Sequence, residues 1–198
     1  MSQEPLTELI LSLARALPEG KPLYAKQLLG LGTRAAVDQA LSRLAKSGDL
    51  LRAGRGMYVL PVRSRFGTRP PEVEKVIEAM AEMRGEALAL HGAAVANALG
   101  LTMQVPTRSV YLTSGRSRTL NLGKLKVELQ HAPAWQLTLA GKPGGQLVRA
   151  LAWLGPERAR ELSPLIKKKA SKGAIEEVVR VRMRLPDWMA RQVSELAQ

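Results

Sequence analysis

The sequence predicts an α+β fold, in which an N-terminal winged helix-turn-helix precedes a mixed α/β domain with a helical C-terminal part. Three observations lead there. Apolar residues recur at helical spacing in three successive segments before Gly48. A compact hairpin signal, Gly54-Arg55-Gly56 between two apolar runs, follows them. Strand-like alternation around Gly123-Lys124 then gives way, from Gly144-Gly145 onward, to helical periodicity up to the last residues.

Each element has its own warrant. Leu6, Leu9, Ile10, Leu13 and Leu17 form one face of a first helix, which Pro18 and Gly20 end. A short second helix is expected over 24–30, with Ala25, Leu28 and Leu29 inward, and Gly30-Leu31-Gly32 turns the chain. Thr33 can cap the first free amides of a third helix. Val37, Ala40, Leu41 and Leu44 are its stripe, and Gly48 suits its C-terminus. Asp49 to Pro61 reads as a β-hairpin around Gly54-Arg55-Gly56. The basic stretch Arg63–Pro71, with Gly67 and two prolines, marks a boundary. Residues 1–66 are thus the winged helix-turn-helix, and 67–198 the second domain. In that domain Val73, Val76, Ile77 and Met80 give a helix ending at Gly85, and another lies near 92–99. Ser109–Thr113 reads as a strand and Thr119–Gln130 as a second hairpin. Leu147–Leu154, Glu157–Lys169, Ile175–Arg182 and Pro186–Leu196 are helical.

Composition bounds the function. The chain has 198 residues, 45% of them hydrophobic, which supplies aliphatic material for real cores and argues against disorder. It has no cysteine, which removes disulfides, Cys-ligated zinc, iron–sulfur sites and thiol catalysis. His91 and His131 are the only histidines and have no ligand-spaced companions, so no metal and no cofactor is expected. Acid, base and nucleophile candidates are not grouped, and no phosphate-binding Gly-rich loop is present, so no catalytic residue is nominated. No apolar run is long enough to span a bilayer, and Met1–Pro5 lacks a basic leader, so a soluble cytoplasmic protein without a membrane partner is expected. The net charge of +13 makes a polyanion the default partner. That charge divides as +5 over residues 1–66, +2 over 67–141 and +6 over 142–198.

With its stripe turned inward, the third helix presents Thr33, Arg34, Ala35, Asp38, Gln39, Ser42, Arg43 and Lys46 outward. Thr33, Arg34 and Gln39 are early or central, where a recognition helix meets base edges. Arg suits the two acceptors of guanine and Gln suits adenine. Arg43 and Lys46 lie further along, toward phosphates. Arg52, Arg55, Arg63 and Arg65 form a second basic group, with Arg55 projected by its flanking glycines toward a minor groove or phosphates. The plainer alternatives are a solvated helix face and a solubilising hairpin charge. Arg116 and Arg118 lie in a turn able to receive an anion or simply to reverse the chain, with Arg108, Lys124 and Lys126 close by in sequence. Lys167, Lys168, Lys169, Lys172, Arg180, Arg182 and Arg184 make a third basic group, facing DNA, an acidic protein, or solvent at helix ends. Trp135, Trp153 and Trp188 are scattered and are expected to be core anchors.

The run from Gly32 to Leu44, Gly54-Arg55-Gly56-Met57-Tyr58, Ala93 to Pro106, and Val110-Tyr111-Leu112-Thr113 resemble the bacterial AbiEi-type antitoxins and their DUF6088-like relatives. The resemblance covers about residues 20–130, and the rest more loosely. It implies a DNA-binding repressor that is also the antitoxin of a type IV toxin–antitoxin pair. Such a protein binds inverted repeats of its own operator in duplex DNA, as a dimer or as cooperating monomers, and counteracts an AbiEii-like nucleotidyltransferase toxin. A stand-alone winged-helix regulator or a basic RNA-binding protein are the alternatives.

Overall fold

The first apolar stripe forms a helix, α1 (Leu6–Ala16), but its buried face is Ile10, Leu11 and Ala14, and Leu13 is left 45% exposed. The computed structural model describes residues 5–65 and 67–198. Met1 to Glu4, on which the leader expectation rests, and Phe66, at the expected domain edge, lie outside the described residues. Among the described residues the chain is mixed α/β, with eight α-helices and three small sheets. By internal contacts it divides into two compact units. One is Met1–Gly85 with Thr119–Val127; the other is Glu86–Arg118 with Glu128–Gln198.

In the first unit, the segment expected to be a second helix is instead a short strand, β1 (Leu23–Tyr24), and a 3-10 turn (Ala25–Leu28). The Gln27 side chain accepts the Tyr24 amide at 2.9 Å, and the Ala25 amide donates to the Gly56 carbonyl at 3.0 Å. These bonds hold the tighter winding. Side chains three apart eclipse in a 3-10 turn, so Ala25 and Leu28 are buried together while Leu29, expected inward, is 44% exposed. The third helix, α2 (Arg34–Ser47), forms where its stripe predicts. Thr33 Oγ1 accepts the Ala36 amide at 3.3 Å, and Gly48 closes the helix at φ 80°. The strands β2 (Leu51–Gly54) and β3 (Met57–Val59) form the hairpin, and β1 adds to β3 in an antiparallel sheet of order β1-β3-β2. Ile10, Leu28, Val37, Leu41 and Leu50 are at most 1% exposed in the core these elements share. Each such side chain contributes roughly 2–3 kcal/mol by burial.

The basic stretch after that hairpin is itself a hairpin, β4 (Val62–Ser64) with β5 (Gly67–Arg69). The helix α3 (Val73–Arg84) follows, and Gly85 closes it at φ 63°. Lys75 bonds Glu19 at 2.9 Å and Glu72 at 3.1 Å, which ties α3 to the turn after α1 and holds the Glu19 carboxyl below its ordinary pKa.

In the second unit, β6 (Leu88–Leu90) pairs antiparallel with β7 (Ser109–Thr113). The strand order β6-β7-β9-β8 is completed by β8 (Arg118–Leu122) and β9 (Leu125–His131), of which residues 119–127 are counted with the first unit and 128–131 with the second. The helix α4 (Gly92–Ala98) packs on α5 (Pro143–Glu161), which is broken at Gly155 (φ 75°, ψ 171°) ahead of Pro156. The expected helix 157–169 is interrupted at Leu162, and α6 (Ser163–Lys169) begins with Pro164 in its first turn. The helices α7 (Lys172–Arg180) and α8 (Asp187–Leu196) complete the unit around Leu147, Leu151, Ile166, Val178 and Met189.

His91 caps α4: its Nδ1 accepts the Ala93 amide at 3.2 Å, which requires the neutral ring. Burial lowers its pKa below the usual histidine value. The unfolded chain therefore binds this proton more readily than the folded one, so the stabilising cap is fully present above about pH 6.5 and is lost as pH falls through the lower folded value. Thermal melts from pH 7.5 to 5 should show an acid-side loss of stability that His91→Asn, a cap without that titration, diminishes.

Candidate nucleic-acid interface

Helix phase decides the first candidate surface. Because Val37, Ala40, Leu41 and Leu44 are buried, Arg34, Ala35, Asp38, Gln39, Ser42, Arg43 and Lys46 are all exposed, as is Thr33 at the cap. Arg34 Nε donates to Asp38 Oδ2 at 2.7 Å, one turn along, with both side chains at least half exposed. So exposed an i,i+4 pair is worth only about 0.3–0.5 kcal/mol and yields easily to a better acceptor.

The hairpin supplies the second group. Gly56 sits at φ 64°, a left-handed conformation that favours glycine, and the register slips between Arg52 and Gly54. Arg52 and Arg55 are both exposed, Arg52 opposite Tyr58 and Arg55 on the two-residue tip. Arg63 is exposed on β4, and its Nη2 donates to Asp49 Oδ1 at 2.7 Å. Asp49 also accepts the Ser47 hydroxyl at 2.7 Å, so it links the end of α2 to β4. Arg65 is exposed beyond it.

The basic groups of the second unit are not one cluster. Arg116 is exposed, but the Arg118 guanidinium is paired with Glu86, with both side chains less than a fifth exposed. Glu86 also accepts the Thr113 hydroxyl at 3.0 Å, and Ser114 Oγ accepts the Ala87 amide at 2.9 Å. Arg118 is therefore a brace of the 113–118 turn, not an open cation. Its partner lies 32 residues away in sequence, so the pairing is not visible in the local pattern. Lys167, Lys168 and Lys169 are exposed in the last turn of α6, where cations suit the helix dipole. Lys167 and Lys172 border a groove with Glu176, while Lys169 Nζ lies against Gly100. Arg180 reaches Glu176 at 3.9 Å, and Arg182 donates to the Val179 carbonyl at 3.3 Å. Arg182 and Met183, the latter 90% exposed, border a second groove with Arg191. Arg184 faces a third recess, with Ser114, Trp135 and Thr138.

Two groups were not singled out from the sequence. Glu86 is the counter-charge just described. Arg149 is 2% exposed on α5 between Val148 and Ala150. A helix apolar on every side around one arginine is the pattern that would have marked it as buried. Among the described residues no group of acidic and histidine side chains is placed to hold a metal. Among the described residues no helix is long and apolar enough to cross a membrane.

No curated protein and no solved structure matches the chain. Residues 9–177 match a family of unknown function, DUF6088, and the protein belongs to that family.

Proposed function

We propose that the first unit is a winged helix-turn-helix that binds duplex DNA, with α2 in the major groove and the β2–β3 hairpin as the wing. The observation that carries this reading is the outward face of α2, all exposed, rooted on a fully buried stripe and followed by a hairpin with Arg55 at its tip. In this reading Arg34 and Gln39 address bases, Arg43 and Lys46 address phosphates, and Arg52, Arg55, Arg63 and Arg65 hold the flanking backbone. The protein acts as a transcriptional repressor that autoregulates its operon at inverted repeats. On the resemblance to AbiEi-type antitoxins, it also counteracts a nucleotidyltransferase toxin, with the exposed cations of the second unit available to that partner or to DNA.

Selection of duplexes from a random pool, followed by DNase footprinting, tests the reading. A protected inverted repeat is expected, and retention of no duplex above background would overturn it. Arg55→Ala should weaken binding to all duplexes alike and reduce the slope of log affinity against log salt by about one. An unchanged slope in a salt-titrated gel-shift series removes Arg55 from the interface.

A further inference from the structure

One wall of a recess in the second unit is held by more than packing requires. Leu139 has φ 55°, and is the non-glycine residue with positive φ among the described ones. A branched side chain is strained there, and such strain persists only where the surroundings impose it. Three neighbours impose it. The Leu139 carbonyl accepts the Lys142 amide at 2.9 Å. The same carbonyl lies so close to α5 that a Cβ on Gly145 would overlap it. Arg149, buried, donates from Nη2 to the next carbonyl, Ala140, at 3.3 Å, while its Nε and Nη1 have no hydrogen-bond partner among the described residues. Burial without a counter-charge lowers the Arg149 pKa to about 10. A buried guanidinium on one carbonyl is a poor route to stability, and an aliphatic side chain would serve the core better.

What these constraints hold in place is the wall of a recess of about 630 Å³, within the roughly 300–1,000 Å³ usual for small-molecule sites. Leu139, Trp135, Thr138, Ser114 and Arg184 face it, and its lining is mostly apolar. Trp135 is half-buried and offers a stacking surface. Ser114 Oγ accepts the Ala87 amide, which leaves its proton to donate. Thr138 donates to the Ala134 carbonyl at 3.3 Å, which leaves its oxygen to accept. Arg184 is the charged side chain of the lining, and a guanidinium is the fork that matches phosphate. An aromatic wall, two hydroxyls of opposite role and one cation describe a ligand with a flat polar ring and a single anionic group.

We propose that this recess binds a mononucleotide, its base on Trp135, its phosphate on Arg184, and its polar edge between Ser114 and Thr138. All these residues lie in the second unit, so the site does not depend on the duplex-binding reading of the first.

The test is calorimetric titration of the intact protein with AMP, GMP, CMP and UMP, with the matching nucleosides, and with inorganic phosphate. Saturable one-to-one binding of at least one nucleotide is expected, with its nucleoside and phosphate alone each at least about tenfold weaker, the loss of one charge-assisted contact or of one stacking surface. Arg184→Gln, at an exposed position, should fold normally and weaken the nucleotide about tenfold while leaving the nucleoside unchanged. Trp135→Leu should remove the fluorescence quenching that accompanies binding. No saturable binding of any nucleotide, equal binding of nucleotide and nucleoside, equal binding of phosphate alone, or an unaffected Arg184→Gln variant would each overturn the proposal.

Discussion

Replacing Gly92 by alanine should cost the second unit about 3 kcal/mol and lower the melting temperature of the intact chain by roughly 10 °C. Gly92 opens α4 at its approach to α5, where a Cβ would overlap the Arg149 carbonyl oxygen and come within 2.7 Å of the Trp153 Cβ. Both obstacles are fixed. A carbonyl inside a helix cannot turn away without breaking its own bond, and a Cβ moves only with its backbone. The added methyl must therefore push the helices apart, and the loss of close packing around Val95, Leu147 and Leu151 follows. Gly145→Ala should behave alike, because its Cβ meets the Leu139 carbonyl. Gly173→Ala is the counter-case. It lies in the first turn of α7 with nothing within 4 Å of its Cβ, so alanine should stabilise by about 0.5–1 kcal/mol through helix propensity and a less flexible unfolded chain. Calorimetric melts of the three variants check this. A Gly92→Ala protein melting with the wild type would mean that α4 and α5 do not approach as described.

These glycines show where the sequence was legible. Wherever a helix is set by its own stripe, the reading transfers directly to the fold: α2, its Thr33 cap and its Gly48 terminus depend on neighbours a few residues apart. The same locality made its outward face readable, since fixing Val37 and Leu41 inward fixes Arg34 and Gln39 outward. Features set by distant partners were not legible. The strand β1 exists because Leu23 and Tyr24 pair with Tyr58 and Met57, and two residues carry no periodicity. Leu29 looks inward on an α-helical wheel and is not, because bonds to Gln27 and Gly56 wind the segment as 3-10. Arg116, Arg118 and the tail cations look alike in one dimension. Glu86 neutralises Arg118, while Lys167 with Lys172, Arg182, and Arg184 border three separate recesses. Gly144-Gly145 did carry a signal. Two glycines opening a helix cost propensity, and close approach of another backbone, here Leu139, is the usual reason.

The recognition face makes the other large prediction, on the proposal that α2 enters the major groove. Arg34→Ala should weaken binding to the selected duplex by about 1–3 kcal/mol, roughly 5- to 150-fold, and relax the preference at one base pair. Asp38→Asn should act in the opposite direction. In the free protein Asp38 holds the Arg34 guanidinium at 2.7 Å, and on DNA the same carboxylate would stand close to a polyanion. Removing its charge frees Arg34 at a cost of only about 0.3–0.5 kcal/mol of surface pairing and removes one repulsion, so affinity for all duplexes should rise several-fold. Both side chains are at least half exposed, so neither variant should disturb the core, and melting temperatures should stay near the wild type. Fluorescence anisotropy on the selected duplex and on a scrambled one separates the outcomes. Loss of sequence preference in Arg34→Ala with gain of general affinity in Asp38→Asn places the pair at the base edges. Equal, small losses in both on both duplexes would place Arg34 on the phosphates, and no change in either would remove this face of α2 from the interface. The double variant completes the argument. If the pair acts only by competing for the guanidinium, Asp38→Asn should bring no specific gain once Arg34 is alanine, and only the general electrostatic gain should remain.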